Sequence, residues 1–104
     1  MSISLTVLYH QPADKAAFDK HYDEVHIPLA AKLPDLQSYT VVRPGPGEDG
    51  SDPQYHLVAT LDFPSLEAMQ ASMGGPEGKA ANADLGNFAQ AGATLLIGQP
   101  QQVL

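Results

Sequence analysis

Residues 3 to 9, Ile-Ser-Leu-Thr-Val-Leu-Tyr, alternate with the period of a strand, placing Ile3, Leu5, Val7 and Tyr9 on one side and Ser4, Thr6 and Leu8 on the other. The period then changes. Asp14 stands where an N-cap belongs, and Phe18, Tyr22, Val25 and Leu29 recur at steps of four, three and four. That spacing draws one apolar stripe along a helix running from about residue 15 to the mid-twenties. His26 lies beside the stripe. Pro28 has no amide for the carbonyl of Glu24 and disfavours helical geometry at Ile27. The pattern therefore predicts a bend or restart just after His26, with its imidazole aimed inward. A short turn over residues 28 to 32 follows, and Pro34-Asp35 ends it.

Residues 36 to 43, Leu-Gln-Ser-Tyr-Thr-Val-Val-Arg, are rich in β-branched and aromatic residues and predict a second strand. Residues 44 to 54 contain three glycines, three prolines and three acids, a composition that belongs to a surface loop. Alternation returns over residues 55 to 63, with Leu57, Ala59, Leu61 and Phe63 on one side and His56, Val58, Thr60 and Asp62 on the other. Ser65 is placed to cap a helix carrying Leu66, Met69 and Met73. Gly74-Gly75 ends it, and Pro76 opens a further helical stretch through Ala80, Ala81 and Leu85. Residues 93 to 97 complete the set as a fourth strand. The order strand, helix, strand, strand, helix, strand is the split βαβ pattern of a ferredoxin-like α+β domain, here a single domain over residues 1–104. Both helices then cover one sheet face. The other face carries Leu8, Val58 and Leu96 beside Thr6, Thr60, His56 and Thr94, a half-apolar surface poorly suited to open water. A second copy packed sheet to sheet is the expected cover, and the lumen between the two sheets is the expected ligand pocket.

Composition narrows the chemistry. Twelve acids against five bases give a formal charge of −7, which repels polyphosphate backbones and anionic lipids and argues against nucleic-acid or membrane partners. Cysteine is absent, which removes disulfides, thiolate metal sites and a cysteine nucleophile. No basic segment precedes a long apolar run, so a cytoplasmic location is expected. The Gly-x-Ser-x-Gly and P-loop patterns are also missing. Gly45, Gly47 and Gly50 fall in a proline-rich loop with no helix after it, so no tightly bound organic cofactor is expected. His10 and His21 do not combine with His26 and Asp23 or Asp62 into a metal set. The five-residue step from His21 to His26 turns the two rings well apart on an ideal helix.

The run Phe18...Tyr22...His26-Ile-Pro28-Leu29-Ala-Ala-Lys32-Leu33-Pro34-Asp35-Leu36...Tyr39, with residues 59 to 68 and Asp84-Leu-Gly-Asn87-Phe88, resembles the EthD family over nearly the whole chain. The family takes its name from ethyl tert-butyl ether degradation. The resemblance implies a dimeric α+β barrel, whose relatives include muconolactone-type isomerases, polyketide cyclases and cofactor-free quinone-forming monooxygenases. It implies a small protein of oxidative catabolism that either acts on an oxygenated organic molecule or assists a separate oxygenase. By the same resemblance the histidine of the His-x-Pro element falls on His26, the tyrosine of the following strand on Tyr39, and the late aspartate and aromatic on Asp84 and Phe88.

His26 titrates near ~6.5 when unperturbed, which suits a general acid or base. Tyr39 is expected to orient or protonate a ligand oxygen through its hydroxyl. Tyr22, Phe88 and His56 are the expected substrate contacts, with His56 meeting His26 across the lumen. Asp84 and Asn87 are read as stabilising the turn before Phe88, and Met69 and Met73, one helical turn apart, as core filler.

Overall fold

The structure is a computed structural model that describes residues 2–104. The alternating segments become strands β1 (Ile3–His10), β2 (Ser38–Val42), β3 (Tyr55–Phe63) and β4 (Ala93–Gly98), joined as one antiparallel sheet in the order β2-β3-β1-β4. A helical arm made of α1 (Lys15–His21), a π-helical segment (Tyr22–His26) and α2 (Ile27–Ala30) connects β1 to β2. Helices α3 (Leu66–Gly74) and α4 (Pro76–Phe88) connect β3 to β4. This is the ferredoxin-like α+β arrangement, one sheet and one helix layer, and the shortest dimension of the molecule is 18 Å. No described helix is long and apolar enough to cross a membrane.

The helix side of the sheet is the core. Ile3, Leu5, Val7 and Tyr9 of β1 and Leu57, Ala59, Leu61 and Phe63 of β3 are buried there with Phe18, Tyr22, Leu33, Met69 and Phe88. The opposite face is graded in rows set by the register. Ser38, Asp62 and Ser4 lie side by side, with both serine hydroxyls donating to the Asp62 carboxylate. Thr40, Thr60 and Thr6 form the next row, and Val42, Val58 and Leu8 the one after it. Opposite Thr6 and Leu8, β4 adds Leu96 and Thr94.

Three local features depart from the alternating reading. The register slips between Tyr9 and His10, so that two residues of β3 face one of β1. The slip turns His56 to the helix layer, where its ring stands edge-on to Phe18 with centroids 5.0 Å apart and bonds Asp19 at 2.8 Å. Strand β2 begins at Ser38 rather than residue 36, because Asp35 adopts φ 62° and the Leu36 amide closes a turn onto Leu33. The arm, finally, changes geometry just after His26, where α2 starts at Ile27, but keeps its helical course past Pro28. The Ile27 amide reaches back to the Tyr22 carbonyl, five residues away, and regular helix continues through Ala30. One wide turn absorbs the proline.

That turn also rephases the arm. Residues four apart drift by roughly 40° per step on an α-helix, yet Phe18, Tyr22, His26 and Ala30 are all buried, because the extra residue in the wide turn takes the drift back. His26 therefore occupies the inward position that the stripe assigned to Val25. Val25 is exposed and Leu29 only half-buried.

Helices α3 and α4 meet at Gly78, where a Cβ would lie 2.3 Å from the Met73 carbonyl oxygen. Gly86, later in α4, has open space at that position. Gly78→Ala is expected to destabilise the protein by about 1–3 kcal/mol in urea unfolding. Gly86→Ala should stabilise it by about 0.5–1 kcal/mol, since it removes only backbone freedom from a helix. Equal effects at the two sites would contradict the close helix contact.

Candidate functional site

His26 sits where the wide turn of the arm faces α4, and Asp84 of α4 meets it there. His26 Nδ1 lies 3.1 Å from Asp84 Oδ2, and His21 Nε2 lies 2.8 Å from Asp84 Oδ1. Asn87 Nδ2 donates to the same Oδ1 at 3.0 Å. His26 is 6% exposed and Asp84 5%. Burial favours the neutral acid at Asp84, but the hydrogen bonds from Asn87, His21 and His26 outweigh it and hold the carboxyl below the ordinary aspartate range. Burial lowers the proton affinity of His26, and the bond to Asp84 opposes this only in part. A carboxylate only accepts hydrogen bonds, so the proton between the two groups belongs to His26 Nδ1. The neutral ring then carries a bare lone pair on Nε2.

That nitrogen faces the Tyr9 hydroxyl at 3.5 Å, at the edge of a cavity of about 50 Å³ that lies between sheet and helices and opens to the surface. Leu5, Val7, Leu61, Leu85 and Met73 give it an apolar wall. Its polar groups are His26 and the hydroxyls of Tyr9, Tyr22 and Tyr39, the last two bonded to each other at 2.5 Å. Exposed Asn82 and Leu95 stand at its rim. Burial, followed by the neighbouring tyrosine, pushes the Tyr9 and Tyr22 hydroxyls well above the usual phenol range, and burial raises Tyr39 against the opposing hydrogen bond from Tyr22. All three hydroxyls hold their protons at neutral pH. Phe88 does not line the cavity. It packs behind the imidazoles, with ring centroids 4.8 Å from His26 and 5.1 Å from His21.

The structure thus brings His26, Tyr39 and Tyr22 to one cavity, with Phe88 as backing. His56 is elsewhere: the β3 slip hands it to Asp19 and Phe18, and it neither lines the cavity nor approaches His26. The cavity itself is not the lumen between two sheets. The His26 ring belongs to the helix layer, and the whole sheet separates it from the face bearing Thr6 and Thr60. Asp84, read as a turn stabiliser, holds both histidines. The rings of His21 and His26, expected to diverge, meet on one carboxylate because five residues make a little over one turn of π-helix. Met73 lines the cavity as well as filling the core. Tyr9 is the residue that sequence reasoning missed. Its inward alternation marked it as core, and nothing in the pattern distinguishes a core tyrosine from one whose hydroxyl reaches a cavity.

Comparison with known proteins agrees with this architecture. The model of the EthD domain matches residues 10–92. The crystal structure of an EthD family protein from Bacillus halodurans is 37% identical, superposes with a TM-score of 0.90, and covers 97% of this chain and 100% of that one. An uncharacterized 11.0 kDa protein from the thcB-thcC intergenic region of Rhodococcus erythropolis is 36% identical over 100 residues, 96% of each chain. At 13% identity, SnoaB, a cofactor-independent oxygenase from Streptomyces nogalater, shares the fold with a TM-score of 0.74 over 99% of this chain and 96% of its own.

Two linked titrations fix how stability responds to acid. The unfolded chain protonates His26 near 6.5, whereas burial holds the folded value lower, so the contribution of this site is intact above 6.5 and lost as pH falls through the folded value. Asp84 acts in the same direction further down: its contribution is intact above 3.8 and lost on acidification through its depressed folded value. The urea midpoint is expected to fall in both windows, with His26→Gln flattening the upper descent. Asp84→Ala should cost about 3 kcal/mol or more, since it leaves buried donors unpaired.

Proposed function

This chain belongs to the EthD family, and from that premise we propose that it is a homodimer whose protomers each admit a small, mostly apolar oxygenated molecule and exchange a proton with it through His26. The chemistry would be isomerisation, cyclisation or cofactor-free oxidation. The observation that carries this reading is a neutral imidazole with Nδ1–H committed to Asp84 and a bare Nε2 turned to a tyrosine-lined apolar cavity. Such a nitrogen accepts a proton from carbon beside a carbonyl or from a phenolic hydroxyl, and Asp84 stabilises the imidazolium that forms. In the Tyr22–Tyr39 pair one hydroxyl donates to the other, which leaves one O–H free for the substrate oxygen. A dry site makes that donor effective as negative charge develops on an enolate or phenolate. The fold is one on which SnoaB carries out cofactor-independent oxygenation.

A second reading draws on the size of the cavity. Its volume of about 50 Å³ is well below the roughly 300 Å³ at the lower end of drug-sized ligand sites. A protein that holds one compact intermediate for a separate oxygenase, without converting it, fits that space. In the catalytic reading only the reactive end of a larger substrate enters, and the remainder leaves past Asn82 and Leu95.

The uncovered sheet face supports the dimer. Val42 is 55% exposed and Leu96 is 56% exposed, and they flank the half-buried Val58, Leu8, Thr6 and Thr60. A second copy presents the same rows and removes this apolar surface from water. A cytoplasmic setting suits a chain with no cysteine and a charge of −7.

Light scattering is expected to give twice the chain mass, and Val58→Asp, which sets a charge into the interface, to give the single chain mass. A monomeric wild type would end the dimer reading. In a panel of lactones, quinols and phenolic ketones, His26→Asn should lower turnover by about 10²–10⁴-fold with binding retained. Tyr39→Phe should lower it by about tenfold, the loss of one hydrogen bond worth ~1.4 kcal/mol. Binding without turnover by wild type across the panel would select the accessory role.

A further inference from the structure

The arrangement His21–Asp84–His26 contains more than a catalytic base and its anchor needs. Asp84 offers one negative charge to two imidazoles, each of which commits one N–H to it: His26 through Nδ1 and His21 through Nε2. The nitrogens left to titrate are therefore Nε2 of His26, inside the cavity, and Nδ1 of His21, whose side chain is 27% exposed. One end of the bridge is dry and the other reaches water.

We propose that His21 and His26 share a single positive charge across Asp84, so that a proton accepted by His26 inside the cavity expels one from His21 to solvent. The inference rests on His26 being the proton acceptor. The step balances without any proton crossing the carboxylate. A bound acid loses its proton to His26 Nε2, which becomes imidazolium, and His21 loses the proton on Nδ1 to water and becomes neutral. When His26 returns its proton to the ligand, His21 takes one back. The charge of the three-residue bridge is constant throughout.

The surroundings enforce the sharing. Phe88 stacks on His21 at an interplanar angle of 21° and packs on His26, and Tyr22 packs on the other ring with centroids 5.3 Å apart. Two imidazoliums around one carboxylate would leave an uncompensated positive charge among these rings, which is costly away from water. Among the described residues no further ion pair reaches the bridge to absorb it. From β1 the bridge meets the Tyr9 hydroxyl, from the arm Tyr22 with Tyr39 of β2 behind it, and from α4 the neutral Asn87. Asp19 and Asp23 of the arm are turned to His56 and Arg43. Burial and the charge of His21 both depress proton binding at His26. The wide helical turn is what brings histidines five residues apart onto one acceptor.

The test is a pH titration of the histidine ring nitrogens by NMR on the ligand-free full chain. In wild type the His21 and His26 signals are expected to show two steps at common pH values, the mark of interacting sites. Independent single-step curves would overturn the proposal. His21→Gln keeps a neutral donor for Asp84 and removes the competing charge, so His26 should take up its proton at higher pH than in wild type while the His10 signal is unmoved. An unchanged His26 midpoint in that variant would equally overturn it. The wild-type titration decides the matter by itself if the variant does not fold. Because no substrate is used, failure to find turnover would count against His26 catalysis and leave the charge coupling standing.

Discussion

A proline without an amide hydrogen sets the geometry on which this site depends. Pro28 cannot bond the carbonyl of Glu24, and its ring excludes the carbonyl position that an α-helix would present. The arm responds by widening one turn, Tyr22–His26, rather than by breaking. The extra residue turns His26 inward and Val25 outward, and brings His21 to the same side as His26. A straight α-helix through these residues would put a valine against α4 and leave Asp84 buried without a partner from position 26. A buried carboxylate in that condition is expensive, so the wide turn and the acid in α4 support each other.

Asp84 is the second half of this dependence. It lies on an element remote in sequence and accepts from three donors, which fixes its charge, the tautomer of His26 and the orientation of both imidazoles. The aromatic rings of Tyr9, Phe18, Tyr22 and Phe88 pack beside the bridge in edge-on, tilted and stacked contacts, with centroids 5.1 to 6.0 Å apart. They exclude water from one side of it and leave His21 open on the other. The cavity edge, the His21–Asp84–His26 bridge and the exposed side of His21 are thus all placed by contacts between the arm and α4. The sheet contributes Tyr9, Tyr39 and an apolar floor.

The two faces of that sheet serve different ends. The helix side encloses the cavity inside one protomer. The opposite side is graded from an aspartate held by two serines, through threonines, to valine and leucine.

The strands, their inward residues, both capped helix starts at Asp14 and Ser65, and the ferredoxin-like order were legible in the chain, because period, caps and breakers act over a few neighbouring residues. His26, Tyr22 and Tyr39 were also legible as candidates, through the proline beside one and the strand or stripe that holds the others. The sequence could not show on which side of the sheet the cavity lies, that His56 is turned away by a register slip, or that Tyr9 is more than core. It could not show that Asp84, 58 residues from His26, is its partner. Local periodicity tells which way a side chain points from its own element. What it meets there depends on how elements distant in the chain pack together, and a single extra residue in one helical turn was enough to exchange a valine for a histidine at the centre of the site.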